Sequence, residues 1–520
     1  MRLFSAETRA ANLTRMAEDR FDVLVIGGGI TGTGIALDAA ARGFSVALVE
    51  KDDFASGTSG RSSRMIHGGL RYLAQYDVEL VREALRERKI LRQLAPHLIR
   101  PLPVFLPAAS PRDLAQYRLG LTAYDVLAAG KNIGFHRPVS EEQILAAAPG
   151  FSRPARGYRY FECQGDDARL TVEVARAAQG FGALLANHVR VERLLGETRV
   201  TGAEVADEIT GERFEIQAAV TVNAGGVWAD QIRALADGAA SDGAATAGTV
   251  ANAAAGSEQR LTPSKGVHLV FAPGAVRTKA ALFVPSAMGD GHFIFIVPWE
   301  DRVYAGTTDT PYSGDLDKPV VGDFDRDYIL ATVARDFPGV TERDVVASWA
   351  GLRPLLSRGQ GDAGTYDLSR KHAIVEDPKG LLTITGGKLT TYRAMAEDLV
   401  DRLARTLRPA GRCRTRRIPL GLHGSAEAAF GMAAAEAAAL GLSPDAGIRL
   451  VRCYGDDWRE AIRMIAADRS LGEPTVVDLP VLKVELELAR SREMAITRED
   501  VFVRRTRLTT RDASVPLPSG

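Results

Sequence analysis

Apolar and polar positions alternate along the chain in two rhythms. The run FDVLVI, residues 21–26, is almost unbroken in its apolar character, as a strand covered on both faces requires. It leads into the glycine turn GGG, a helical pattern from about Ile30 to Arg42 that Gly43 ends, and a second apolar strand finishing at Glu50. Strand, turn, helix and strand make a βαβ unit, which predicts a doubly wound parallel sheet. From about Val78 to His97, helical apolar spacing with alternating charge predicts a long exposed helix. The segment YRLGLTAYDVLAAGKN, residues 117–132, follows a proline-interrupted stretch and predicts an amphipathic helix. Two placements fit it: packing on its own domain, or contact of Arg118 and Lys131 with lipid headgroups.

Further on, residues 165–185 open on Asp166 and Asp167 with helical spacing, and VTVNAGGVWAD, residues 220–230, reads as a buried strand entering another glycine turn. Both are expected to return to the first sheet. The Ala-, Gly- and Ser-rich run from about Asp237 to Gly256 has little to bury and is expected to be a flexible insertion. Between Leu261 and Thr310, β-rich runs broken by Gly and Pro predict an antiparallel sheet. GLLTITGGKLTTYRAMAEDLVDRLAR, from Gly380, again reads strand, glycine turn, helix, and the last hundred residues read as a small helical domain.

The expected fold is thus α/β plus α. A discontinuous Rossmann-like dinucleotide domain takes residues 20–95, 150–260 and 345–405. An antiparallel-β substrate domain takes 96–149 and 261–344, and a C-terminal helical domain 406–520.

Composition narrows the function. At 520 residues the chain exceeds what one core serves. Its 65 basic and 65 acidic residues cancel, which argues against nucleic acid as a partner. Cys163, Cys413 and Cys453 are too few and too scattered for a disulfide framework, a CxxC motif or a zinc site, so no metal is expected and a reducing compartment fits. The charged N-terminal stretch is not a secretory signal, and no window has the ~18 apolar residues of a spanning helix. Membrane contact would therefore be peripheral.

In Gly27-x-Gly29-x-x-Gly32, the first glycine makes the turn, the second lets backbone approach a pyrophosphate, and the third lets helix and strand pack closely. Glu50 is placed to accept hydrogen bonds from an adenosine ribose and excludes a 2′-phosphate, although it does not separate NAD from FAD. One complete fingerprint, followed by several glycine turns returning to the same sheet, favours FAD.

The stretch SSRMIHGGLRYL, residues 62–73, follows the second strand by a short loop and so lies at the carboxyl ends of the strands, where ligands bind in this fold. Gly68 and Gly69 would let backbone pass close to a flat ring. Read alone, His67 is either a base titrating near neutrality or a histidine satisfied inside a packed turn. Arg71, Arg353 and Lys388 each stand beside a glycine or proline turn, a setting suited to a buried anion such as a phosphate.

Taken together, VIGGGITGTGIALDAAARG, TSGRSSRMIHGGLRYL, DDARL, VNAGGVWAD, SKGVHLVF, IVPW, GTTDT, GLRPL and GGKLTTYR resemble the FAD-dependent glycerol-3-phosphate dehydrogenases and their oxidase relatives. The resemblance covers about 20–400 well, and the tail less specifically. Arg64 departs from the usual Lys, NAGGVW from the usual NATGPW, and the insertion after Asp237 is atypical.

The resemblance implies oxidation of sn-glycerol 3-phosphate to dihydroxyacetone phosphate with FAD reduced and electrons passed to a quinone. It implies His67 as base, Arg353, Lys388 and Arg71 as the cations on phosphate or alkoxide, and Tyr72, His268 and Thr390 as pocket lining. Its cofactor contacts carry over to Gly27, Gly28, Gly29, Ile30, Thr31 and Gly32, to Glu50, Lys51, Thr58 and Ser59, and to Ser62, Ser63, His67, Gly68, Gly69 and Leu70. They carry over likewise to Ala224, Gly225, Trp228, Gly351, Gly387, Lys388, Leu389 and Thr390. It further implies a cytoplasmic protein attached peripherally to the inner face of the cell membrane, and a homodimer is compatible with it. A soluble oxidase using oxygen, an amino-acid oxidase of the same flavin fold, and a flavin-binding scaffold without catalysis are the competing readings. The last sits poorly with the presence of His67, Arg71, Arg353 and Lys388 together.

Overall fold

Residues 21–26 form the heart of strand Arg20–Ile26, whose Val23, Leu24 and Val25 are fully buried. Neighbours on both sides run parallel to it, Arg213–Asn223 and Val46–Val49, and the latter pairs in parallel with Leu184–Ala186. Leu382–Thr385 extends the sheet beyond Arg213–Asn223. Helices Ile30–Ala41, Asp167–Gly180 and Tyr392–Thr406 pack together against this sheet around Ile35, Val174 and Leu399. Gly34 permits the close approach: a Cβ there would stand 2.7 Å from the Tyr392 ring. The computed structural model describes residues 4–73, 77–153, 156–236, 261–356, 372–407 and 411–515. The run expected to be a flexible insertion, 237–256, lies outside them.

The second sheet is built on Leu261–Phe271, which pairs antiparallel with Val345–Leu356 along its whole length and with Arg302–Gly306. It continues through Phe293–Trp299 and Ala281–Pro285 to Arg100–Pro107, Gly157–Gln164 and Met65–Ile66. Apart from the parallel contact of Ala281–Pro285 with Arg100–Pro107, its pairings are antiparallel, as expected. Helices Glu141–Ala147 and Asp323–Asp336 fill one face around Phe337 and Ile329, and helix Pro111–Ala128 covers part of the other through Leu121.

Sheet membership departs from the expected division in three places. Met65–Ile66, Gly157–Gln164 and Val345–Leu356, placed by the sequence with the dinucleotide domain, are strands of the second sheet. A strand's own pattern reports how it is covered, not which distant strand it pairs with.

The helix expected over 78–97 spans Val78–Leu94, and the expectation that it is exposed is wrong for one face. Leu80, Val81, Ala84, Leu85 and Leu91 are buried, and so are Glu87 and Arg88. Those two charges are paired: Glu87 receives Arg393 at 2.7 and 2.8 Å, and Arg88 bridges to Glu162. Helix Pro111–Ala128 packs on the second sheet through Leu121 and on helix Val78–Leu94 through Tyr124 and Ala128, while Leu119 and Val126 on its outer face are 74% and 71% exposed.

The C-terminal region is helical, as expected: Ala426–Ala439, Pro444–Tyr454, Trp458–Ala467 and Lys483–Arg492 pack around the buried Trp458. Its last turns reach back to the first sheet. Arg504 and Arg505 donate to Asp53 at 2.7, 2.6 and 2.9 Å, and Arg507 donates to Asp166 at 2.9 Å and to Asp167 at 2.5 Å. All six side chains are almost wholly buried, apart from Asp166 at 19% exposure.

Candidate active site

The glycine loop behaves as its spacing requires. Gly27 adopts φ +114°, and a Cβ there would stand 2.6 Å from the Ala224 carbonyl oxygen. At Gly32 a Cβ would fall on the Gly27 carbonyl oxygen, so helix Ile30–Ala41 starts hard against the strand before it. Glu50 accepts from the Gly28 amide at 2.6 Å and the Asp52 amide at 3.0 Å. Burial raises the Glu50 pKa, and those two amides oppose the rise.

A cavity of about 980 Å³ runs from this loop to beneath the second sheet. Gly27, Gly29, Ile30, Thr31, Glu50, Lys51, Thr58 and Ser59 line its first stretch. Ala224, Gly225 and Trp228 face them, and the Trp228 indole nitrogen is buried with no hydrogen-bond partner among the described residues. Lys51 sits 4.3 Å from the Trp228 ring centre and pairs with Asp317 from the other sheet's loop. Ser62, Ser63, His67, Gly351, Gly387, Lys388, Leu389 and Thr390 line the middle and far end, with Tyr72, His268 and Arg353.

Five of the expected cofactor contacts do not line the cavity. Gly28 and Gly32 serve the loop from within, as above. Gly68, Gly69 and Leu70 lie behind the lining: a Cβ on Gly68 would fall on the Tyr124 hydroxyl, one on Gly69 would fall on the Tyr72 ring, and Leu70 packs with Tyr72 and Leu73. Gly69 also has φ +78°, which favours glycine. The glycine pair thus makes room for Tyr124 and Tyr72. Arg71 sits in the turn Leu70–Leu73, and its side chain lies outside what the structure describes.

At the far end Arg353 is held from four directions. Its guanidinium donates to Ser264 Oγ at 3.2 Å, Thr307 Oγ1 at 3.0 Å and the Thr308 carbonyl at 3.1 Å, and stands 3.4 Å from Asp309. Gly266 leaves the space for it, since a Cβ there would fall on the guanidinium. Lys388 Nζ stands 3.6 Å from the Tyr72 ring centre. His268 Nε2 pairs with Ser63 Oγ at 2.9 Å, and its ring stacks on Trp349 at 4.7 Å and 12°. Burial, then the charges of Arg353 and Arg64, push its pKa well below the usual imidazole range, so it stays neutral.

Arg64, the departure noted in the sequence, lies 3.7 Å over Trp299 and 4.8 Å from Trp349. A planar guanidinium stacks between two indoles in a way an ammonium does not.

Sequence reasoning missed the residues that hold these groups: Ser264, Thr307, Thr308 and Asp309 on Arg353, Trp349 under His268, and Asp167, which accepts from the Ser62 amide at 2.9 Å and its hydroxyl at 2.7 Å. The hydroxyls and acid of GTTDT were the one legible signal.

Glycines shaped for a dinucleotide, an indole N–H awaiting an acceptor and one continuous cavity fit FAD. A dinucleotide cradle that opens directly onto cations and imidazoles suits redox chemistry, and the class so defined is the flavin-dependent oxidoreductases. Residues 22–402 match the family model described as FAD dependent oxidoreductase, and 413–517 match the C-terminal domain of alpha-glycerophosphate oxidase. The chain is 37% identical to the aerobic glycerol-3-phosphate dehydrogenase of Staphylococcus haemolyticus, over 94% of this chain and 87% of the relative. It is 36% identical to the human mitochondrial glycerol-3-phosphate dehydrogenase, over 95% and 68%. A crystal structure of the Bacillus halodurans glycerol-3-phosphate dehydrogenase with FAD superposes with a TM-score of 0.77 at 32% identity, covering 98% of this chain and 90% of that one. The chain belongs to the family of FAD-dependent glycerol-3-phosphate dehydrogenases, and FAD is its cofactor.

Proposed function

We propose that the chain oxidises sn-glycerol 3-phosphate to dihydroxyacetone phosphate and passes the electrons to a quinone. The observation that carries this reading is the meeting of Arg353, Lys388 and His67 on the same cavity as the dinucleotide loop. FAD supplies the two-electron acceptor for the hydride on C2.

Arg353 and Lys388, with Arg71, bind the phosphate or polarise the developing alkoxide. Because Arg353 is braced by four partners, it is organised before substrate arrives, and phosphate binding can orient the remote C2. His67 takes the hydroxyl proton. Neutral His268, fixed through Ser63, lines the pocket with Tyr72 and Thr390 and adds no charge of its own.

Among the described residues no helix is long and apolar enough to cross a membrane. Quinones reside in bilayers, and the outer face of helix Pro111–Ala128, with exposed Leu119 and Val126 beside Arg118, suits attachment to the inner face of the cell membrane. A homodimer is compatible with this arrangement.

The test is anaerobic. Addition of sn-glycerol 3-phosphate to the purified holoprotein is expected to bleach the flavin band. Fast reoxidation by a ubiquinone analogue and slow reoxidation by oxygen are expected; the reverse would make the chain an oxidase, and an unbleached flavin would sink the substrate assignment.

A further inference from the structure

Behind the His67 turn lies a carboxylate that the reaction as described does not use. Glu162, 1% exposed, sits on strand Gly157–Gln164, next to the short strand Met65–Ile66 that delivers His67. The register pairs Ile66 with Cys163, which sets Glu162 beside the turn beginning one residue later. One carboxylate oxygen accepts from the Gly68 amide at 3.2 Å and pairs with Arg88; the other accepts from the Tyr124 hydroxyl at 2.5 Å. Arg88 is fixed in turn, donating to the Phe161 carbonyl at 3.0 Å and to Asn132 at 3.3 Å. Tyr124 lies on the inner face of helix Pro111–Ala128, and its hydroxyl occupies the space a Cβ on Gly68 would need.

The charge is therefore compensated, and both oxygens are satisfied. A buried carboxylate without such partners would be costly, and few pairs as well enclosed are free to shift. In the active-site turn it holds the peptide N–H immediately after His67.

We propose that Glu162, braced by Tyr124 and Arg88, is a positioning residue: its grip on the Gly68 amide sets where the His67 imidazole stands over the cavity. The inference rests on His67 as the base. Glu162 itself is not among the residues that line the cavity.

The test uses FAD-loaded wild type, Glu162→Gln and Tyr124→Phe. Anaerobic flavin reduction by sn-glycerol 3-phosphate gives the limiting rate constant, and perturbation of the flavin spectrum by dihydroxyacetone phosphate gives product affinity. Hydrogen exchange over residues 62–73, with strand Arg20–Ile26 as control, reports the Gly68 amide without any turnover. Expected are a fall of about tenfold in limiting rate for Tyr124→Phe and about a hundredfold for Glu162→Gln, since a displacement near 1 Å costs on that order. Product affinity, set by Arg353 and Lys388, is expected to change less than twofold, and exchange in 62–73 to quicken while the control strand stays protected.

If Glu162→Gln does not fold, Tyr124→Phe, which removes one hydroxyl, decides alone. An unchanged limiting rate in a variant whose exchange has quickened overturns the proposal, as does unchanged exchange. Parallel loss of rate and product affinity overturns it too, by making the role structural. If wild type is not bleached by the substrate, the functional reading fails, and exchange alone then decides whether Glu162 holds the turn.

Discussion

The Lys388 ammonium stands 3.6 Å from the centre of the Tyr72 ring, so one member of the cationic end of the cavity rests on an aromatic face contributed by the SSRMIHGGLRYL stretch. Lys388→Met is expected to raise KM for glycerol 3-phosphate about 10- to 100-fold, the worth of one charge-assisted contact. Tyr72→Leu keeps the charge but loses its seat, with an effect of about thirtyfold at most for a desolvated cation–π contact of ~2 kcal/mol. Steady-state kinetics on the two variants checks both; a larger effect at Tyr72 than at Lys388 would contradict the assignment.

Gly266 predicts a second kinetic phenotype. An added methyl would fall on the Arg353 guanidinium and stand within reach of Thr307, so Gly266→Ala is expected to push Arg353 out of its bracing. It should reproduce the raised KM of Arg353→Ala with FAD still bound. Full wild-type kinetics in Gly266→Ala would show that Arg353 does not need this seat.

Stability should fall on mild acidification. His97 is buried with neither ring nitrogen hydrogen-bonded among the described residues, and burial, then the charge of Arg169, lowers its pKa to about 4. Arg176 adds to the lowering, and Asp456 opposes it. The unfolded chain therefore takes up this proton near pH 6.5 and the folded chain only near 4. Its contribution is intact above pH 6.5 and is lost as pH falls toward 4, by up to about 3 kcal/mol. His97→Leu should flatten the pH dependence of the urea midpoint in that window; an unaltered slope would exclude His97 as its source.

Asp53 is completely buried under Arg504 and Arg505. Asp53→Asn leaves two buried guanidinium groups short of charge and is expected to cost about 3–5 kcal/mol. Chemical denaturation of the holoprotein measures it, and a loss below about 1 kcal/mol would mean that Glu493 and Asp500 compensate.

Leu119→Asp with Val126→Asp alters only exposed positions. The pair is expected to abolish cosedimentation with anionic vesicles while flavin reduction by substrate is unchanged. Retained vesicle binding would place any membrane face elsewhere.

Much of this molecule could be read from its sequence where the partners are close along the chain. The FDVLVIGGG turn and Glu50 lie within thirty residues of one another, and their pairing follows from that spacing. Arg353 and Lys388 stood out because glycines beside them marked tight approaches, and both line the cavity. Gly68 and Gly69 were marked by the same signal, but their space is taken by Tyr124 and Tyr72. A glycine announces close approach without naming what approaches. Glu87 and Arg88 looked solvated because their partners, Arg393 and Glu162, are remote in sequence. The same distance hid Trp349 under His268 and put three strands in an unexpected sheet.

The arginines of the C-terminal region bear on how the protein is made. Asp53, Asp166 and Asp167 are among the earlier residues to leave the ribosome, whereas Arg504, Arg505 and Arg507, which neutralise them, are among the later ones. Through most of synthesis the half-built dinucleotide domain carries carboxylates it cannot bury without their cations. Their compensation therefore comes only with Arg504, Arg505 and Arg507, well after Leu382–Thr385, the last strand of either sheet among the described residues, has been made.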